Sequence, residues 1–213
     1  VGHFTTSVNI KKKPSSDLEK LIENSEFGYW MRTGNKSTND GTGQRYEQVF
    51  KQDEMKNEKR VISHAKNNSM IDSVVGKDGK KYTISNALEK KIDWIQIDIG
   101  FLSEQEKETV LNLSKYAVVN GSHTVMGEIL GGKAKPIIGI PIYDEHTNNI
   151  RWAEEKNLGV LAVKTKQVIE AISRIKDNYN KFEENLADFS KNFVPNGAEN
   201  TAKIVANILE EKK

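Results

Sequence analysis

A strand that runs out into small polar residues can grip a phosphate, and this sequence has such a stretch at Val118-Val-Asn-Gly-Ser-His-Thr-Val-Met-Gly-Glu128. The first N–H groups of a helix have no partner within it and lie at the positive end of its dipole. A strand-to-helix turn made of Gly121, Ser122, His123 and Thr124 therefore offers backbone donors to an anion such as a diphosphate. Glu128 falls one turn further in, on the face rising from that turn, where a carboxylate can accept both hydroxyls of a ribose. The plainer reading is that Ser122 or Thr124 caps a helix and does nothing more.

A second stretch repeats the pattern. Ile138-Gly-Ile-Pro141 is followed by Ile-Tyr-Asp-Glu-His-Thr-Asn-Asn149, so another apolar run ends where a dense polar group opens a helix. Glu145 and Asn149 are four residues apart and share a helix face, with His146 beside Glu145. A carboxylate and an amide aimed at one place suit the hydroxyls of a sugar. One histidine, with no cysteine and no second histidine nearby, is a poor zinc site. Here the plainer reading is a solvated helix start with Asp144 as its N-cap. His3 and His64 have no supporting pattern and are assigned no role.

The elements that must position these groups are legible from periodicity. Trp94–Ile99 reads as a β-rich run, and Ser103 starts a helix with Glu106 as its capping-box partner. Tyr116–Val119 reads as a buried strand, and Thr124–Leu130 as a helix closed by Gly131-Gly132. Pro136–Pro141 is the next strand, followed by a helix over Glu145–Lys156, a strand over Leu158–Val163, and helices over most of Lys166–Lys191. After the breaker Pro195-Asn196-Gly197 comes a last helix, Ala198–Glu211. Strands spaced by helices of this length imply right-handed crossovers and a doubly wound α/β domain with a parallel sheet.

Upstream the signal is weaker. Phe27–Met31 reads as a strand, and the loop Arg32–Gly43 follows, containing Gly34, Lys36, Gly41 and Gly43. A helix over Gln44–Gln52 and a strand over Arg60–His64 come next. Residues Asn67–Lys91 fit no single period, with Lys77-Asp-Gly-Lys80 as a hairpin turn. Pro14-Ser-Ser-Asp17 reads as a helix start. The domain division expected is a linker or lead-in over 1–26 and one donor-binding domain over 27–213.

Bulk properties narrow the function. The chain has 213 residues, 36% hydrophobic and 29% charged, with a net charge of +2, so no strong field points to nucleic acid. The absence of cysteine excludes disulfides and thiolate metal sites, and fits a reducing compartment. No apolar run approaches the roughly 20 residues that span a bilayer. A chain that starts at Val1 without an initiator Met is expected to be processed or cut from something longer.

Together the two polar stretches resemble the C-terminal domain of GT-B glycosyltransferases, in particular the group of the peptidoglycan N-acetylglucosaminyltransferase and its archaeal relatives. That group carries Gly-Gly-His-(Ser/Asn)-Thr-x-x-Glu, a glycine-flanked strand ending in Pro, and Asp/Glu-Gln with Asn three residues on. Gly121, Ser122, His123 and Glu128 fill the first segment; Gly131-Gly132, Pro136 and Pro141 follow in register; Glu145, His146 and Asn149 fill the second. Ser122 departs from the second glycine, and His146 stands where the family has a sugar-contacting glutamine, which leaves the donor sugar open.

The resemblance implies a Rossmann-like fold, the C-terminal half of GT-B. It also implies metal-independent, inverting transfer from a nucleotide-diphosphate sugar, most simply a UDP-sugar, with no cofactor. It implies nucleobase contact at the loop bearing Phe101, and approach to the diphosphate by the loop with Gly34, Gly41 and Gly43, where Arg32 or Lys36 can supply charge. Val1–Phe4 resembles the family's strand leading in from the interdomain linker. The acceptor and catalytic base are expected on an N-terminal domain or separate subunit. The expected setting is cytoplasmic, with any membrane contact made through that missing half. Two other readings remain: a sugar-nucleotide 2-epimerase-like domain, and a non-catalytic nucleotide-binding module.

Overall fold

In the first unit, hydroxyl caps set where the helices begin. The structure is a computed structural model that describes residues 16–23, 27–33, 58–64, 72–100, 102–192 and 197–210. The chain divides into two compact units, Val1–Lys115 and Tyr116–Lys213. Outside the described residues lie the first four residues with His3, the loop bearing Lys36, Gly34, Gly41 and Gly43, the expected helix over 44–52, and Phe101.

The first unit opens with α1 (Asp17–Ile22) at the expected helix start, where Ser16 and Glu19 form a capping box that the sequence reading did not mark. Strands β1 (Phe27–Thr33) and β2 (Arg60–His64) are parallel, with Tyr29 opposite Arg60. The hairpin of β3 (Ser73–Gly76) and β4 (Lys81–Tyr82) turns at Lys77–Lys80, with Gly79 at φ 77°. A helix unmarked in the sequence reading, α2 (Ile84–Glu89), starts where the Thr83 hydroxyl accepts the Asn86 N–H. Strand β5 (Trp94–Ile99) runs parallel to β2 and antiparallel to β3, giving the order β4-β3-β5-β2-β1. Helix α3 (Glu104–Leu113) follows, and α1 packs on α2 and α3 through buried Leu18, Leu21 and Ile22. Lys59 lies 4.1 Å over the Trp94 ring, and burial pulls its ammonium below the ordinary lysine pKa.

Ser103 caps α3 as expected: its hydroxyl accepts the Glu106 N–H while the Glu106 carboxylate accepts the Ser103 N–H at 3.0 Å. Ser103→Ala is expected to cost about 0.5–2 kcal/mol in urea denaturation. No change in midpoint would mean that the cap is redundant.

The second unit carries parallel strands β6 (Ser114–Val119), β7 (Ile137–Gly139) and β8 (Gly159–Leu161), in that order. Val118 sits beside Ile138, and Ile138 beside Val160, all buried. Such continuous apolar strands need cover on both faces. Between them run α4 (His123–Met126), continued by a π-helical segment Gly127–Lys133, and α5 (Asp144–Glu155). Helix α6 (Thr165–Asp177) packs on β7 and β8, burying Val168, Ala171, Ile172 and Ile175 as one stripe. Helix α7 (Tyr179–Asn192) packs on α6 and on the π segment. The last helix, α8 (Gly197–Glu210), buries none of its residues.

Two expectations are corrected here. The helix expected to close at Gly131-Gly132 runs through both and closes at Ala134, which takes the left-handed φ of 49°. Asp144 does not cap α5: Tyr143 holds the N-cap position without a side-chain bond, and Asp144 is the first helical residue. There its carboxylate still favours the positive end of the dipole. The close passage of α5 over β7 depends on Gly139, because a Cβ there would run into the Ile150 side chain.

Candidate functional site

The turn after β6 is held by bonds from both of its sides. Asn120 Oδ1 accepts the Ser122 N–H at 3.1 Å, folding the chain back after the strand. Gly121 then adopts φ +85°, a left-handed conformation that asparagine-glycine turns favour. A Cβ at Gly121 would lie 2.5 Å from Ile150 Cδ1 and 3.0 Å from the His146 carbonyl oxygen, so the turn rests directly on the first turn of α5. Asn149 completes the junction: its Nδ2–H donates to the Gly121 carbonyl at 3.0 Å. The two polar stretches, 28 residues apart at that bond, are one structure.

The helix start that this junction holds is open. The first backbone bond of α4 is from the Met126 N–H to the Ser122 carbonyl, so the N–H groups of His123, Thr124 and Val125 precede it. Ser122 occupies the N-cap position, yet its hydroxyl makes no capping bond. The capping role weighed for Ser122 from sequence is therefore not the one it plays. His123 and Thr124 are exposed, and Glu128 is half-buried, two residues into the π segment. An anion at this turn would meet backbone donors and an idle hydroxyl.

The second stretch is divided by burial. Glu145 is exposed in the first turn of α5. His146 is buried at 7% exposure, its Nδ1 has no hydrogen-bond partner, and its ring meets Tyr143 edge-on at 5.2 Å. Tyr143 itself is 60% exposed. Asn149, expected to share a face with Glu145, has its amide N–H directed at Gly121. Sequence reasoning missed Asn120 and Ile150. Asn-Gly after an apolar run is a turn signal that could have marked Asn120; nothing local marks Ile150 as the wall against Gly121.

Among the described residues no group of three or more His, Cys, Asp or Glu side chains could hold a metal ion. Nor is any described helix long and apolar enough to cross a membrane.

No protein family matches this sequence, and no curated protein does. Solved structures do match. CalG4, the calicheamicin glycosyltransferase, is 12% identical, with a TM-score of 0.56 over 94% of this chain and 46% of its own. UGT2 of Phytolacca americana, solved with UDP-2-fluoro-glucose and pterostilbene, is 10% identical, with a TM-score of 0.56 over 93% of this chain and 44% of its own. The glycosyltransferase SnogD from Streptomyces nogalater is 14% identical, with a TM-score of 0.55 over 85% of this chain and 44% of its own. The chain thus spans less than half the length of each. Its fold is the Rossmann-like α/β fold of the C-terminal half of a GT-B glycosyltransferase.

Proposed function

We propose that this chain is the donor-binding part of a glycosyltransferase that moves a sugar from a nucleotide-diphosphate sugar to an acceptor hydroxyl. The observation that carries the reading is the Asn149–Gly121 bond, which joins two polar strand-end turns into one open helix start in a chain of this fold. Ligands of parallel α/β sheets gather at those strand ends. Matched proteins solved with UDP, thymidine diphosphate or UDP-2-fluoro-glucose support the donor class. The sequence motifs favour the peptidoglycan N-acetylglucosaminyltransferase group within it, and a UDP-sugar as donor.

In this reading the diphosphate lies against the N–H groups of His123 and Thr124 and the Ser122 hydroxyl, and Glu128 accepts the ribose hydroxyls. Glu145, His146 and Asn149 lie at the sugar end; the His146 Nδ1 is buried and unpaired, so a sugar hydroxyl would reach it only after a shift of the first turn of α5. The family resemblance assigns Gly34, Gly41 and Gly43 to the diphosphate and Phe101 to the nucleobase; all four lie outside the described residues. Transfer is inverting and metal-independent. Charge growing on the leaving diphosphate is stabilised by preorganised helix-start donors, which is worth most at the transition state. The base belongs to an opposing acceptor domain.

Calorimetric titration with a panel of sugar nucleotides tests the class directly. Glu128→Ala is expected to weaken binding of the nucleotide diphosphate by about 1–3 kcal/mol, the usual loss of hydrogen bonds to a charged group. Unchanged affinity in a folded variant would remove Glu128 from the ribose.

A further inference from the structure

Within the second unit a groove between α4 with its π continuation, α5 and α7 shares His123 and Asn149 with the proposed donor site and extends beyond it along an apolar wall that the donor reading does not use. It is a cavity of about 420 Å³, floored by Met126, Leu130, Trp152 and Phe189, and reached at one end by His123 and Asn149. Three features of its walls point to a ligand. Gly127 lies in one wall at φ −62°, ψ −40°, a helical conformation open to any residue. A Cβ built there would meet nothing within 4 Å. Glycine inside a helix is less stable than alanine, so the helix forgoes stability at a wall position where a side chain would meet open space.

The winding changes at that same residue, from α to the π segment Gly127–Lys133. Such segments are frequent at functional sites. Finally, Phe189 holds the Trp152 indole edge-on, at 5.8 Å and 74°, yet the indole remains 43% exposed where it lines the groove. An oriented, half-open indole is a preformed stacking surface.

We propose that this groove binds a flat, largely apolar small molecule, aromatic or polycyclic, with a hydroxyl at the end that reaches His123 and Asn149. The volume suits a single small molecule, for which sites of roughly 300–1,000 Å³ are usual. The chemistry follows the lining: apolar and aromatic along the body, amide and imidazole at one end.

The test uses the full chain, 4-hydroxybiphenyl as probe, and no nucleotide, so its result does not depend on the donor reading. Amide NMR titration is expected to show saturable shifts centred on the Met126–Leu130 amides and the Trp152 indole, with a dissociation constant below about 1 mM. Gly127→Phe fills the groove and is expected to weaken binding at least tenfold with an unchanged circular dichroism spectrum. Gly127→Ala is expected to keep the fold and raise the melting temperature. Should Gly127→Phe fail to fold, Trp152→Ala carries the test, with at least a fivefold loss expected. No saturable binding to the unmodified chain, shifts centred on α8 or elsewhere, or full affinity in the folded variants would each overturn the proposal.

Discussion

Purified chain, given a nucleotide-diphosphate sugar and an acceptor alcohol, will bind the donor and transfer none of the sugar. Transfer needs a base within about 3 Å of the attacking oxygen and a cleft that excludes water. In the proposed reading the groups at the β6 and β7 strand ends are taken up by an anion, a ribose and a sugar, which leaves the base to the opposing acceptor domain. The matched glycosyltransferases are more than twice as long as the stretch this chain covers, at 46% of CalG4 and 44% of UGT2. Losing general-base help alone removes about 10²–10⁴ in rate, and losing acceptor positioning removes more. Nucleotide release followed with a coupled assay is the measurement. Robust transfer by the chain alone would refute the half-site reading, and activity restored by a partner or a longer parent chain would support it.

Gly121→Ala is expected to destabilise the second unit by about 2–4 kcal/mol, the sum of a left-handed backbone strain and an overpacked contact. The backbone at φ +85° disfavours any side chain, and the methyl would sit 2.5 Å from Ile150 Cδ1. The His146 carbonyl at 3.0 Å is backbone and cannot swing away as a side-chain end can. Relief requires the turn to lift off α5, which lengthens the Asn149 bond and misaligns the helix start. Nucleotide affinity should therefore fall with stability in this variant, whereas Gly127→Ala, where a Cβ meets open space, should spare the fold. Urea denaturation of both variants makes the comparison. A loss below about 0.5 kcal/mol at Gly121 would mean that the turn adapts and that the junction is soft.

The sequence by itself determined what depends on near neighbours. Ser16 with Glu19 and Ser103 with Glu106 close their capping boxes three residues apart, and the structure has both. The Lys77–Lys80 turn makes its hairpin because Asp78 and Gly79 supply the local bond and the positive φ. Apolar runs such as Tyr116–Val119 become buried strands because such runs leave water in any compact fold. The order of polar turns along the chain was enough to suggest a diphosphate cradle.

Tertiary structure decided the rest. The bond from Asn149 to Gly121 spans 28 residues, and no periodicity connects its ends. His146 reads as a polar helix-start residue, but the folded chain buries it, and its Nδ1 is left without a partner. The π winding over Gly127–Lys133 shifts every side chain after Met126 relative to the α spacing on which Glu128 was placed. For the Asn149 bond and the burial of His146 the deciding energy is contact between segments distant in sequence, which residue types do not specify until the chain has closed on itself.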